Sequence, residues 1–335
     1  MNLSSAIAIA ALALAAIARK ADAQELSGSA GVASAHGLPK ASYSWELDYH
    51  QGIEGPIEGS LSWINEGHFL GHHRDGVAGE AWVDFGPVLG KVSLSLGAGS
   101  YYFFDTQPVA GGDSVDIHAF SAIVSASLKY YLSDSWFVRA FADRIIPSHD
   151  IRTTTFDAGL GYYFGSVAHG PPILRLPSIQ DQYGGPMDPN RDEIALLLGS
   201  SRVNTLFRTG STAAAIEYRR RLDAHIDASV EILREGDPKT VRRSGLAVQG
   251  WLVSTFPHRD DIELGLGLGP YFNIDTKHQI PGHRVDTPGV AGLLAPTVDW
   301  KAWSAIHLRI IWDRVITSYN RDADVWLFGV GYRWH

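Results

Sequence analysis

The sequence has no cysteine in 335 residues. Disulfides, thiolate metal sites and a lipidated N-terminal cysteine are thereby excluded. Basic residues are few and scattered, 28 Lys and Arg against 36 Asp and Glu, for a formal net charge of -8. Without a basic stripe, nucleic acid is excluded as a partner. The sequence also lacks a P-loop, a dinucleotide-binding glycine fingerprint and a GxSxG elbow. The commonest nucleotide and serine-hydrolase sites are therefore missing, and no cofactor is expected. Long apolar runs are scarce as well. The one present is SSAIAIAALALAAIA, Ser4 to Ala18, and no later stretch suffices for a spanning helix.

That run has signal-peptide length, and Ala21-Asp22-Ala23 supplies a small-x-small cleavage site. Residues 1–23 are read as a signal peptide whose removal leaves Gln24 first. The n-region MNLSS carries no Lys or Arg, and Arg19-Lys20 follow the apolar core. An uncleaved membrane helix is the alternative reading.

The remainder is a tandem repeat. WINEGHFLGHHRDGVAGEAW (Trp63 to Trp82) lies over ILREGDPKTVRRSGLAVQGW (Ile232 to Trp251), shifted by 169. VSLSLGAGSYYFFDT, from Val92, lies over IELGLGLGPYFNIDT, from Ile262, shifted by 170. The same shift carries Asp143–Phe164 onto Asp313–Trp334. The extra residue falls at the turn around Pro87 and Pro257, where insertion is cheapest.

Each copy reads as eight strands. In the first they lie near 25–36, 41–51, 57–66, 77–86, 91–104, 117–131, 136–146 and 154–164, with Gly, Pro and Asp between them. Connections after Gln51, Phe85 and Tyr131 are predicted short, and those over Glu66–Gly76 and Asp105–Asp116 long. The strands have two unlike faces. Val92, Leu94, Leu96, Ala98, Tyr102 and Phe104 form an apolar face, opposite Ser93, Ser95, Gly97, Gly99 and Tyr101. In lipid, only closure into a barrel satisfies every backbone group of such strands. Pro270 and Pro296 fall inside predicted strands, where a bulge or strand end is expected.

The first copy closes on GLGYYF and the second on GVGYRW. These motifs resemble the terminal strand of bacterial outer-membrane β-barrel proteins, which alternates apolar residues and ends in an aromatic. The resemblance is to the small eight-stranded families and covers each half separately, 25–164 and 193–334. It implies an all-β, transmembrane antiparallel β-barrel in the cell outer membrane. It also implies contact with outer-membrane lipid and lipopolysaccharide, and delivery by the barrel-assembly machinery through the closing strand. Trp334 would be that strand's aromatic, with His335 one residue beyond.

Sixteen strands allow two barrels or one. The segment joining the copies, residues 165–192, is rich in Pro and Gly, has no strand period, and is read as a periplasmic linker. Its length favours two barrels, 24–164 and 193–335, over a single sixteen-stranded pore.

Strand parity turns a set of charges inward: Glu66, Arg74, Glu80, Arg139 and Asp143 in the first copy, and Glu235, Arg243, Arg309 and Asp313 in the second. They could select solutes or pair with one another as a plug. His68, His72 and His73, beside Glu66 and Asp75, form a weak metal candidate in a predicted loop. The second copy has no histidine there. His68 and His72 have zincin spacing, but Phe69 stands where the glutamate base would be.

DRVITSYNRDAD, from Asp313, resembles the Arg-x-x-His-x-Ser-Asn segment of lipid A deacylase barrels. Aligned on Arg314 and Asn320, the histidine and serine positions hold Thr317 and Tyr319. The adjacent Ser148-His149-Asp150 of the first copy need not converge. A non-enzymatic outer-membrane protein, structural or passing small solutes, is therefore the leading expectation. A lipid A-modifying hydrolase and a surface adhesion or metal-binding module are the alternatives.

Overall fold

The computed structural model describes residues 24–87, 90–109, 114–148, 150–163, 192–205, 209–237, 241–256, 259–280, 283–285 and 289–334. The expected signal peptide and the linker up to residue 191 lie outside the described residues. Described residues of the first copy form β1 (Gln24–Ala35), β2 (Ser42–Glu54), β3 (Ile57–Phe69), β4 (His72–Pro87), β5 (Val92–Pro108), β6 (Ser114–Tyr131), β7 (Trp136–Pro147) and β8 (Thr153–Tyr163). The second copy forms β9 (Asp192–Val203), β10 (Thr209–Asp223), β11 (Ile226–Gly236), β12 (Val241–Phe256), β13 (Arg259–Ile280), β14 (His283–Val285), β15 (Val290–Lys301), β16 (Ile306–Ile316) and β17 (Ala323–Trp334).

Each copy closes on itself. β1 is antiparallel to both β2 and β8, with Leu26 opposite Tyr162. In the second copy β9 pairs with β10 and β17, placing Ile194 opposite Tyr332, and β12 pairs with β13. The aromatic strand that ends each repeat thus seals the barrel that its own first strand opens. The result is two eight-stranded antiparallel barrels. A single sixteen-stranded barrel is ruled out, because it would pair β8 with β9.

Three expectations need correction. The segment Glu66–Gly76 is not a loop. β3 and β4 continue to a tight turn at Leu70-Gly71 and contain a bulge between Asn65 and His68. Gly67 occupies the bulge at φ 74, and Gly236 occupies the equivalent bulge of the copy at φ 84. A Cβ on Gly67 would collide with Ser42 Oγ and the Tyr43 carbonyl, so only glycine fits. The second expected loop, Asp105–Asp116, is also mostly strand, since β5 reaches Pro108 and β6 starts at Ser114.

The prolines make no bulge. Pro296 pairs in register with Leu266 of β13, and Pro270 with Gly292 of β15. The β15–β16 ladder skips Ala295 and Pro296 and resumes at Thr297 in the same register. The β12–β13 ladder likewise skips Gly269 and Pro270. Each proline lacks a donor toward one neighbour only, so one ladder is interrupted while the other holds. A further addition is β14, a short strand that extends β13 outside the eight-stranded closure.

The faces separate as parity predicts, apart from aromatics that cover one another. Leu94 and Leu96 are exposed, while Ser93, Ser95 and Tyr101 are buried. Leu196 and Leu198 are 62% and 67% exposed, beside the exposed Phe328 and Val330. An apolar belt of this kind around a closed sheet is a lipid-facing surface. Aromatics gather on it: Trp63 stacks on Phe104, Tyr102 meets Phe120, and Trp312 stacks on Trp326.

Leu266→Arg, on the outer face, should destabilise the second barrel by about 2–4 kcal/mol, as Arg does near a bilayer midplane. Ser95→Arg, on the inner face, should block closure of the first barrel, because Ser95 is fully buried against Asp84. Refolding yield on cold gels reads both. Equal tolerance at the two positions would refute the face assignment.

Candidate functional site

The inner faces fill the two lumens with charge. All nine sequence-predicted residues, Glu66, Arg74, Glu80, Arg139, Asp143, Glu235, Arg243, Arg309 and Asp313, are buried there. They do not form one network. Towards the end of each barrel where the Gly67 and Gly236 bulges lie, Arg74 pairs with Glu66 at 2.8 Å and Arg243 with Glu235 at 2.5 Å. Arg74 also donates to the Ile151 carbonyl and Thr153 Oγ1, and Arg243 to Tyr319 Oη and the Arg321 carbonyl. Each arginine thus ties the β3–β4 or β11–β12 hairpin to the segment that enters the closing strand.

Arg139 and Arg309 hold a second layer nearer the chain ends of each barrel. Their main partners are not the predicted ones. Arg139 on β7 bonds Asp48 on β2, and Asp48 also meets His50 Nε2 at 2.7 Å. His50 continues to Glu58 at 3.2 Å. Lys129 lies between Glu25 and Glu58. In the copy, Arg309 meets Glu193, Glu217 and Asp299 at 2.5–2.6 Å. Arg219 pairs with Glu217, Arg221 with Asp227 and Glu263, and Arg333 with Glu193 and Glu263. His307 joins Asp299. These partners carry the same inward parity as the predicted charges, which was the available signal.

The repeat shift shows what is shared. The pair Asp48–Arg139 falls on Glu217–Arg309, and His50 falls on Arg219. A tryptophan lies beside each of the latter: His50 is 5.1 Å from the Trp82 ring, and Arg219 sits 3.6 Å over Trp251. Both indoles donate to a serine at 2.8 Å, Ser60 and Ser229. Both lie on glycine: a Cβ at Gly97 would be 2.6 Å from Trp82, and one at Gly267 2.8 Å from Trp251. Other charges have moved. Lys129 corresponds to Asp299, and Tyr163 to Arg333.

Between the layers lie carboxylates with few donors. Glu80 accepts from Ser125 at 2.8 Å and Asp143 from Thr155 at 2.9 Å. In the copy, Ala295 and Val325 replace those hydroxyls and Gln249 replaces Glu80. Asp313 and Glu231 are fully buried, and none of their carboxylate oxygens accepts a hydrogen bond. Apolar side chains complete the filling: Ile64, Ala78, Tyr101, Phe103, Ile123 and Ile145 form one cluster in the first barrel.

The three histidines separate. His72 points inward and bonds Asp105 at 2.6 Å through Nδ1. His68 and His73 form a cross-strand pair on the outside, with rings stacked at 4.1 Å. Thr317, at the resemblance's histidine position, bonds Asp322, and Tyr319 accepts from Arg243. His149 lies outside the described residues.

No protein-family model matches this sequence, and no curated protein matches it. Solved structures similar to it include the N-terminal β-barrel domain of Pseudomonas aeruginosa OprF, at 16% identity and TM-score 0.36, covering 42% of this chain and 97% of that one. Neisserial surface protein A is 12% identical with TM-score 0.35, covering 42% of this chain and 95% of that one. The attachment invasion locus protein Ail of Yersinia pestis is 18% identical with TM-score 0.33, covering 42% and 97%. The fold itself is defined by the strand ladders.

Proposed function

We propose that this chain is a non-enzymatic outer-membrane protein whose two barrels span the bilayer as packed, closed units. The reading rests on the cross-lumen ion pairs. Arg139 on β7 reaches Asp48 on β2, and Lys129 on β6 reaches Glu25 on β1. Arg309 on β16 reaches Glu193 on β9 and Glu217 on β10. A solute could pass only by separating buried ion pairs, each costly to break. The filled lumens suit a structural or surface-presenting role better than free diffusion.

Lipid and lipopolysaccharide are the partners of the apolar belts. The barrel-assembly machinery is the partner of the closing strand. The alternating outer face of β17, from Trp326 to Trp334, carries that signal. Reconstituted in planar bilayers, the refolded protein should show no steady conductance. Large, stable, ohmic steps would overturn the packed-lumen reading and favour a solute channel.

A further inference from the structure

We propose that the rim of the first barrel, beside the Leu70-Gly71 turn, holds a divalent transition-metal site formed by His72, Asp105 and Asp150. Three separate segments bring these residues together: the start of β4, the far part of β5, and the connection into β8. One ligand atom from each lies within 4.8 Å of the other two. His72 Nδ1 is already 2.6 Å from Asp105 Oδ2. Asp105 is fully buried, and its Oδ1 has no hydrogen-bond donor. Gln107 donates to the other oxygen, Oδ2, at 2.9 Å.

Charge points the same way. A fixed cation, Arg74, lies 3.8 Å from Asp150 Oδ2. Its guanidinium already makes two contacts to Glu66, at 2.8 and 3.1 Å. Asp105 and Asp150 therefore face one imidazole and an arginine held by another carboxylate. A divalent ion would neutralise the surplus. One imidazole nitrogen and two carboxylate oxygens form a donor set that suits zinc. Calcium and magnesium prefer oxygen ligands alone. His72 and Asp150 keep 18% and 15% of their side chains exposed, which gives an ion a route in and water a coordination position.

The second barrel is an internal control. Val241 replaces His72 and Asn320 replaces Asp150. The counterpart of Asp105 is Asp275, which pairs with the exposed Arg242 at 2.7 Å. The site therefore belongs to the first barrel, with one ion per chain. It does not depend on whether either lumen conducts.

The test is zinc titration of the refolded full chain in detergent, by calorimetry and by metal content after dialysis. Cobalt absorption would report the nitrogen ligand. One zinc per chain is expected. His72→Val, which installs the residue of the second barrel, should abolish binding while heat-modifiable mobility persists. Asp150→Asn, in a connecting segment, gives the same reading should the valine variant fail to refold. The double variant His68→Ala/His73→Ala should bind as the wild type does. Absence of binding by the wild type would overturn the proposal. So would binding that survives both His72→Val and Asp150→Asn, or binding lost only in the His68/His73 variant, which would place the ion on the outer histidine pair.

Discussion

Expressed separately, Gln24–Gly165 and Asp192–His335 should each refold in detergent into a compact, protease-resistant, heat-modifiable species. Every strand pairing among the described residues lies within one half. β1 meets β8 along its length, from Glu25 opposite Tyr163 to Ala35 opposite Thr153. β9 meets β17 from Asp192 opposite Trp334 to Val203 opposite Ala323. Neither half has an open edge that the other must cover, so each satisfies its own backbone groups in an apolar medium. Each also carries its own lumen network. Aggregation of both halves, with recovery only on co-refolding, would contradict this and mean that closure needs the full chain.

The second large effect is expected at Arg309. It is 2% exposed and within 2.6 Å of three carboxylates. Arg309→Met removes the cation that Glu193, Glu217 and Asp299 share, leaving Glu193 to Arg333, Glu217 to Arg219 and Asp299 to His307. Removing one partner of a buried pair costs about 3–5 kcal/mol, so the second barrel should fail to close. Arg309→Lys should rescue little, since a single ammonium cannot reproduce the guanidinium's several donors. Arg139→Met should be milder, because it takes the arginine from one carboxylate, Asp48, rather than from three. Limited proteolysis of the full chain with mass mapping distinguishes the outcomes. Cleavage confined to residues after 192, with the first barrel intact, is the expected pattern for Arg309→Met. A variant as resistant as the wild type would mean that Arg219, Arg333 and His307 suffice for the three carboxylates.

Much of this architecture was legible because a strand repeats every two residues and a duplicated chain repeats every 169 or 170. Those two periods place Ser95 inside, Leu94 outside, and Arg139 over Arg309 without any knowledge of contacts. Who pairs with whom is a different matter. Asp48 and Arg139 are 91 positions apart, on strands that face each other across the lumen. No local pattern encodes that distance. The predicted set does not include Lys129, although the same parity turns it inward and its counterpart Asp299 has the opposite sign. The histidine segment departs from the expected loop for a related reason. Gly67, Gly71 and Gly76 suggest a loop, yet Gly67 makes a bulge and Gly71 a turn, and the alternation runs on to the hairpin tip. Parity there sends His72 in and His73 out, which no reading of a loop could supply.

The exchange between Lys129 and Asp299 has a consequence for heredity. After duplication the two lumens held the same charges, and they now hold different ones around the same tryptophan, serine and glycine. A lone change of Lys129 to aspartate would have put an anion beside Glu25 and Glu58. The change could persist only alongside new cations, and Arg219, Arg221 and Arg333 stand where the first barrel has His50, Gly52 and Tyr163. What is inherited in such a lumen is the balance of a set. Charges around the shared tryptophan can therefore change in one copy only together with their partners, while the Asp/Glu–Arg pair across the lumen and the Glu66–Arg74 pair, kept as Glu235–Arg243, hold in both. A chimera that carries a single lumen charge from one copy into the other should lose barrel stability.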